Sequence, residues 1–204
     1  MNKTDKVINY NFYHWGPFLY KTILQPKELI KIKNLCSKKS KDFRVTLAGL
    51  IKHEHVINPK KMFPIISPYV ESYLKARYEH YNVGKPINNK VKLISSWVNY
   101  MTKFESNPVH NHSNDLSFVI YTKIPEELKQ EVKDTVGNTL PGEINFIYTL
   151  GHDKHQVNSR KFMPEVGDFF IFPASLHHYV NHFQSDGERI SISGNIKINN
   201  GEKV

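Results

Sequence analysis

The sequence predicts a mainly β fold with N-terminal helices, an α+β chain whose strands close into an antiparallel barrel or jelly roll. Three observations carry this. From residue 91 onward, six or more short runs rich in β-branched and aromatic residues alternate with turn signals. Before that point, apolar residues recur at helical spacing. And 204 residues, 12% of them aromatic, are enough to bury one sizeable core. The expected organisation is a helical supporting region over 1–90 and a β core over 91–204, together forming one compact domain.

Taken in order, Pro26 stands at an early helical position, and Leu29, Ile30, Ile32 and Leu35 follow on one face. A second helix is expected from Ser67, read as its cap, with Val70, Tyr73, Leu74 and Tyr78 forming its apolar face. It ends at the breaker cluster Asn82-Val83-Gly84 with Pro86. Val91 to Phe104 reads as a long strand, and Leu116 to Ile124 as another, stopped by Pro125. A polar amphipathic piece from Glu126 to Val136 is expected to be a short helix. Strands resume at Glu143–Leu150 after the Pro141-Gly142 turn, at Phe169–Pro173 after Gly167-Asp168, at Tyr179–Phe183 and at Arg189–Ile198.

Composition narrows the function classes. No apolar run approaches the ~18 residues that a membrane-spanning helix needs, and MNKTDKVINY has no apolar segment of the secretory type. The single cysteine, Cys36, excludes an internal disulfide and fits a reducing, cytoplasmic compartment. The net charge of +9 permits attraction to nucleic acid or an acidic partner. Its lysines are dispersed, however, without an Arg-rich tract, which favours a solvated surface.

Chemistry concentrates in two places. PVHNHSND (108–115) sets His110 and His112 two apart, with Asp115 close behind and an apolar strand following. FPASLHHYV (172–180) supplies His177 and His178 between two expected strands. Eleven residues beyond His178 comes Arg189 in Arg189-Ile-Ser191. A strand alternates with period two, so Arg189 and Ser191 share a face, as do His110 and His112 if their piece is extended. Imidazole and carboxylate suit ferrous iron on one face of an octahedron. A planar guanidinium held on a strand suits a carboxylate. Asn99 and Tyr121, on neighbouring strands, either line the same pocket or pack in the core. Two further histidine groups, His53-Glu54-His55 and His152-Asp153-Lys154-His155, look metal-like but lack partners at sensible positions and read as exposed polar turns.

The run from Trp97 to Asn195 resembles the 2-oxoglutarate/Fe(II)-dependent oxygenases, in particular the short versions carried by tailed bacteriophages, which would place the protein in a host cytoplasm. The resemblance rests on PVHNHSNDLSFVIYTKIPEEL, PGEINFIY and GDFFIFPASLHHYVNHFQSDGERISISGN, about half of the chain. It implies a double-stranded β-helix, the cupin-like jelly roll, preceded by helices. It also implies Fe(II) and 2-oxoglutarate as cofactors and hydroxylation of a second substrate with release of succinate and CO2. By the same resemblance, His110 and His178 are metal ligands, Arg189 grips the far carboxylate of 2-oxoglutarate, Ser191 assists it and Tyr121 adjoins it. Position 112 departs from the usual aspartate: either His112 completes a three-histidine site or Asp115 swings in as the anion. A protein side chain such as proline, asparagine or aspartate is the favoured second substrate. A nucleic-acid base is the alternative, and a non-catalytic metal-binding cupin is a rival of another class.

Overall fold

The computed structural model describes residues 16–82, 90–148 and 158–199. Ten strands form two antiparallel sheets, with three helices beside them. The larger sheet contains β1 (Tyr20–Ile23), β2 (Glu54–Val56), β3 (Lys90–Met101), β5 (Leu116–Lys123), β8 (Asp168–Pro173) and β10 (Arg189–Asn199), in the order β1-β8-β5-β10-β3-β2. The smaller contains β4 (Asn107–His110), β6 (Ile144–Ile147), β7 (Ser159–Phe162) and β9 (His177–Val180), in the order β4-β9-β6-β7. Two such sheets face to face are the jelly roll that the sequence predicts.

The larger sheet is covered on both faces, so its central strands read as continuous apolar runs rather than alternating ones. In β8, Phe169 and Ile171 pack toward the helices, while Phe170 and Phe172 face the smaller sheet. In β10 the same alternation sends Ile192 to the helical side, leaving Arg189, Ser191 and Ser193 on the face that looks between the sheets.

Helix α1 (Pro26–Lys33) begins at Pro26 as expected and buries Ile32. Helix α2 (Pro59–Tyr81) buries Met62, Ile66, Val70, Tyr73 and Leu74 against the outer face of the larger sheet. It begins not at Ser67 but at Pro59, because Asn58 is the better cap: its side chain accepts from the Lys60 N–H at 2.9 Å, and Pro59 fits the first helical position. Pro64 and Pro68 therefore lie inside the helix. Each forfeits one helical hydrogen bond, a loss set against burial of the whole apolar face. The helix stops at Asn82, which adopts the left-handed conformation (φ 53°) and donates its N–H to the Tyr78 carbonyl at 2.8 Å. Helix α3 (Glu126–Asp134) follows Pro125 as expected.

The N-terminal section holds more than helices. β1 pairs with β8 and β2 with β3, so it supplies both edge strands of the larger sheet. Neither run is long enough to show a period of its own; their pairing partners lie far along the chain.

Candidate metal centre

The register of two short strands builds the centre. β4 and β9 run antiparallel with His110 opposite His178. Just past the end of β4 the chain places His112, whose N–H donates to the Ala174 carbonyl at 2.9 Å. The candidate ligand atoms of His110, His112 and His178 all lie within 4.8 Å of one another. The Nε2 atoms of His112 and His178 are 3.3 Å apart. Two nitrogens bound at ~2.1 Å to one ion in adjacent positions lie ~3 Å apart, so the pair fits a shared cation.

Two of the rings are oriented by their own backbone. His178 Nδ1 lies 2.9 Å from the Leu176 carbonyl and His110 Nδ1 2.7 Å from the Pro108 carbonyl. A carbonyl only accepts, so Nδ1 carries the proton in both, and each Nε2 presents a lone pair. Burial pushes the pKa of His178 down to about 3 and that of His112 to about 4, with the His110 charge adding to both effects. Burial likewise lowers that of His110. Three neutral imidazoles at neutral pH are what a divalent metal requires.

Asp115 is engaged elsewhere. Its carboxylate accepts from the Ile198 N–H at 2.7 Å and lies 3.6 Å from Lys197 Nζ, while its own N–H and carbonyl bond to Ile196 and Ala174. His177 is exposed and points away from the centre, opposite in strand parity to His178.

A cavity of about 160 Å³ opens on the triad and runs between the sheets to Arg189. Arg189 is 2% exposed, and burial works against its charge. Its Nη1 reaches only the Met101 sulfur at 3.5 Å, and Nε and Nη2 have no partner among the described residues. The guanidinium stacks 4.6 Å above the Tyr121 ring. The Tyr121 hydroxyl is fully buried beside the Arg189 guanidinium and held protonated by burial, with no acceptor for its proton among the described residues. Ser191 Oγ accepts from Asn99 Nδ2 at 3.3 Å and keeps its own proton to donate. Donors thus converge at one end of the cavity with no anion to receive them, and a carboxylate would satisfy them all. Asn99 and Tyr121 are both pocket walls.

The wall also contains residues to which the sequence gave no part in the site: Trp97, the Thr46–Ala48 segment, Asn107 and Glu54. Of His53-Glu54-His55, expected as an exposed turn, only His53 is exposed. Glu54 and His55 lie in β2, Glu54 is 1% exposed, and His55 is buried with Nδ1 2.9 Å from the Ser40 carbonyl. A three-residue strand shows no periodicity, and only its pairing with β3 reveals which residue faces inward. His152 and His155 lie outside the described residues. Burial raises the Cys36 thiol to about 11, which removes it as a nucleophile.

The family model described as "Putative 2OG-Fe(II) oxygenase" matches residues 95–195, the span that holds all three histidines and Arg189. No curated protein matches the chain. Among solved structures, a prolyl-4-hydroxylase of Pseudomonas putida is similar with a TM-score of 0.53 and 12% identity, over 88% of this chain and 91% of that one. HygX from Streptomyces hygroscopicus, with nickel, 2-oxoglutarate and hygromycin B bound, has a TM-score of 0.53 and 10% identity, over 89% of this chain and 82% of that one. A prolyl hydroxylase from Trichoplax adhaerens, in complex with a peptide fragment of hypoxia inducible factor, has a TM-score of 0.51 and 10% identity, over 90% and 83%. At such identities the likeness is one of fold.

Proposed function

Because this chain belongs to the 2OG-Fe(II) oxygenase family, we propose that it hydroxylates a C–H bond of a polypeptide side chain, with His110, His112 and His178 holding the iron. Iron and 2-oxoglutarate, when bound, would supply the oxidising chemistry: dioxygen is the oxidant, one of its atoms leaving in succinate as CO2 is released and the other entering the substrate C–H bond. The protein's own residues position and exclude. His110, His112 and His178 would hold the iron, with histidine at 112 where aspartate is usual and Asp115 engaged at the far side of its turn. Arg189 binds the distal carboxylate through its two free N–H edges, and Ser191 and Tyr121 add donors. Phe172 and Ile144 form part of the dry wall around the triad.

The observation that carries this reading is the buried guanidinium of Arg189, without a carboxylate partner among the described residues, in the same cavity as the triad. A metal-binding cupin without turnover has no use for it. A polypeptide substrate is supported by the surface outside the Thr46–Ala48 wall. There an open depression between 42–52 and 103–105 exposes Val45, Leu50 and Phe104 side by side, a contact area of the kind that partner chains cover. The base-modifying alternative has only the +9 charge behind it.

The test is succinate release from 2-oxoglutarate under air, with and without ferrous iron and with Arg189→Ala beside the wild type. Iron-dependent succinate that falls at least about tenfold in the variant at limiting 2-oxoglutarate is expected, the loss of a charge-assisted pair. Equal turnover by the two proteins would remove Arg189 from its assigned role.

A further inference from the structure

We propose that Glu54 is the anionic anchor of the second-substrate site, and that the substrate presents a basic nitrogen, the ammonium of a lysyl or the guanidinium of an arginyl side chain, to it. This deepens the proposed function and rests on it for the reaction, though not for the binding.

The geometry is a single lateral row. The register pairs Glu54 with Asn99, Asn99 with Ser191 and Ser191 with Tyr121, across β2, β3, β10 and β5. All four side chains are buried and all four line the cavity of the triad. The Tyr121 end, beside Arg189, consists of donors. The Glu54 end consists of acceptors: Glu54 Oε2 and Asn99 Oδ1 are both buried without a partner among the described residues. Two strand spacings separate Glu54 from Ser191, about 10 Å between backbones, so a carboxylate held by Arg189 and a group held by Glu54 occupy different ends of the cavity.

No group of the described protein neutralises Glu54. Arg44, whose field reaches it, is committed to Asp42, with Nη2 2.5 Å from Oδ2. The neighbouring Glu105 spends its carboxylate on the N–H groups of Lys52 and Thr102 and adds a repulsive field at Glu54. Among the described residues that line the cavity, Glu54 is the one carboxylate. Gly49 passes so close that a Cβ there would lie 2.9 Å from Glu54 Oε1 and 2.6 Å from Asn107 Oδ1, so only a glycine leaves room beside these two oxygens. A buried, unpaired carboxylate is costly to the protein alone. A cationic N–H donor, brought in by the substrate, satisfies Oε2 and Asn99 Oδ1 together.

The experiment uses two probes of equal shape and different charge, n-butylguanidinium and n-butylurea, titrated by saturation-transfer NMR into full-length protein loaded with zinc and 2-oxoglutarate. Wild type is expected to bind the guanidinium at least about tenfold more tightly than the urea, the increment of a charge-assisted hydrogen bond. Glu54→Gln should bring the two within about twofold while binding 2-oxoglutarate as wild type does, which also shows that the variant is folded. Equal affinities in wild type overturn the proposal with no variant needed, and so does a preference that survives in Glu54→Gln. Binding of 2-oxoglutarate to the zinc-loaded wild type is read separately. Its absence defeats the oxygenase reading, an unchanged Kd in Arg189→Ala removes Arg189 from its role, and in either case the guanidinium-to-urea ratio still decides the role of Glu54.

Discussion

Arg189 carries a charge that folding has withdrawn from water, and no anion among the described residues faces it in return. Burying it costs stability, and a ligand carboxylate recovers that cost. Arg189→Ala should therefore raise the 2-oxoglutarate Kd of the zinc-loaded protein about ten- to a hundredfold, with zinc affinity unchanged, as calorimetry would read it. The histidines give a pH prediction. Their folded pKa values lie below the ordinary value of 6.5, so the unfolded chain binds more protons as pH falls. Metal-free Glu54→Gln, which lacks the opposing titration of that carboxyl, should thus lose stability on going from pH 6.5 toward pH 4 and gain none above 6.5; a Tm that stays level across that window would contradict their burial as neutral rings. Glu54 runs the other way. Burial and the Glu105 charge raise it from 4.5 to about 7, so its contribution is intact below 4.5 and is lost as pH rises through 7. Metal-free Glu54→Gln should melt above wild type at pH 8, and that advantage should vanish by pH 4.5. At this scale the sequence was legible where residue types stand at chemically constrained spacings. His110, His178 and Arg189 are of that kind. Glu54 was not, because its meaning comes from a cross-strand neighbour.

Elements in this chain are fixed by caps, breakers and close approaches more than by periodicity. Pro125 ends β5 and opens α3, and the expected and observed helices agree there within two residues at the C-terminal end. The start of α2 was misplaced because Asn58-Pro59 and Ser67-Pro68 offer the same signal, and a helix that tolerates two internal prolines gives no warning of its true length. Asn58→Ala should cost about 1 kcal/mol of stability, whereas Ser67→Ala should be nearly silent; denaturant titration of both distinguishes the caps. In β10, a Cβ at Gly194 would meet the Phe118 ring at 2.5 Å and the Ser95 carbonyl at 2.6 Å. Gly194→Ala should therefore destabilise by about 1–3 kcal/mol, the ordinary cost of overpacking. The two edge strands β1 and β2 were invisible because four and three residues cannot display a period, and their partners in β8 and β3 are distant in sequence.

At the scale of the molecule, the jelly roll was readable from the succession of apolar runs and turn residues, since every run after residue 91 had to pair and be covered. What the sequence left open was how the two sheets face each other, and that arrangement makes a cavity with donors at one end, acceptors at the other and imidazoles beside them. No helix among the described residues is long and apolar enough to cross a membrane. On this reading distant segments converge on one iron with a dicarboxylate anchored behind it. That convergence is tested most directly by iron-edge anomalous diffraction from crystals grown anaerobically with ferrous iron and 2-oxoglutarate. One strong peak is expected about 2 Å from the Nε2 atoms of His110, His112 and His178, with the far carboxylate of the cosubstrate on Arg189. A peak coordinated by Asp115 in place of His112 would contradict the three-histidine assignment, and a cosubstrate away from Arg189 would contradict the reading as a whole.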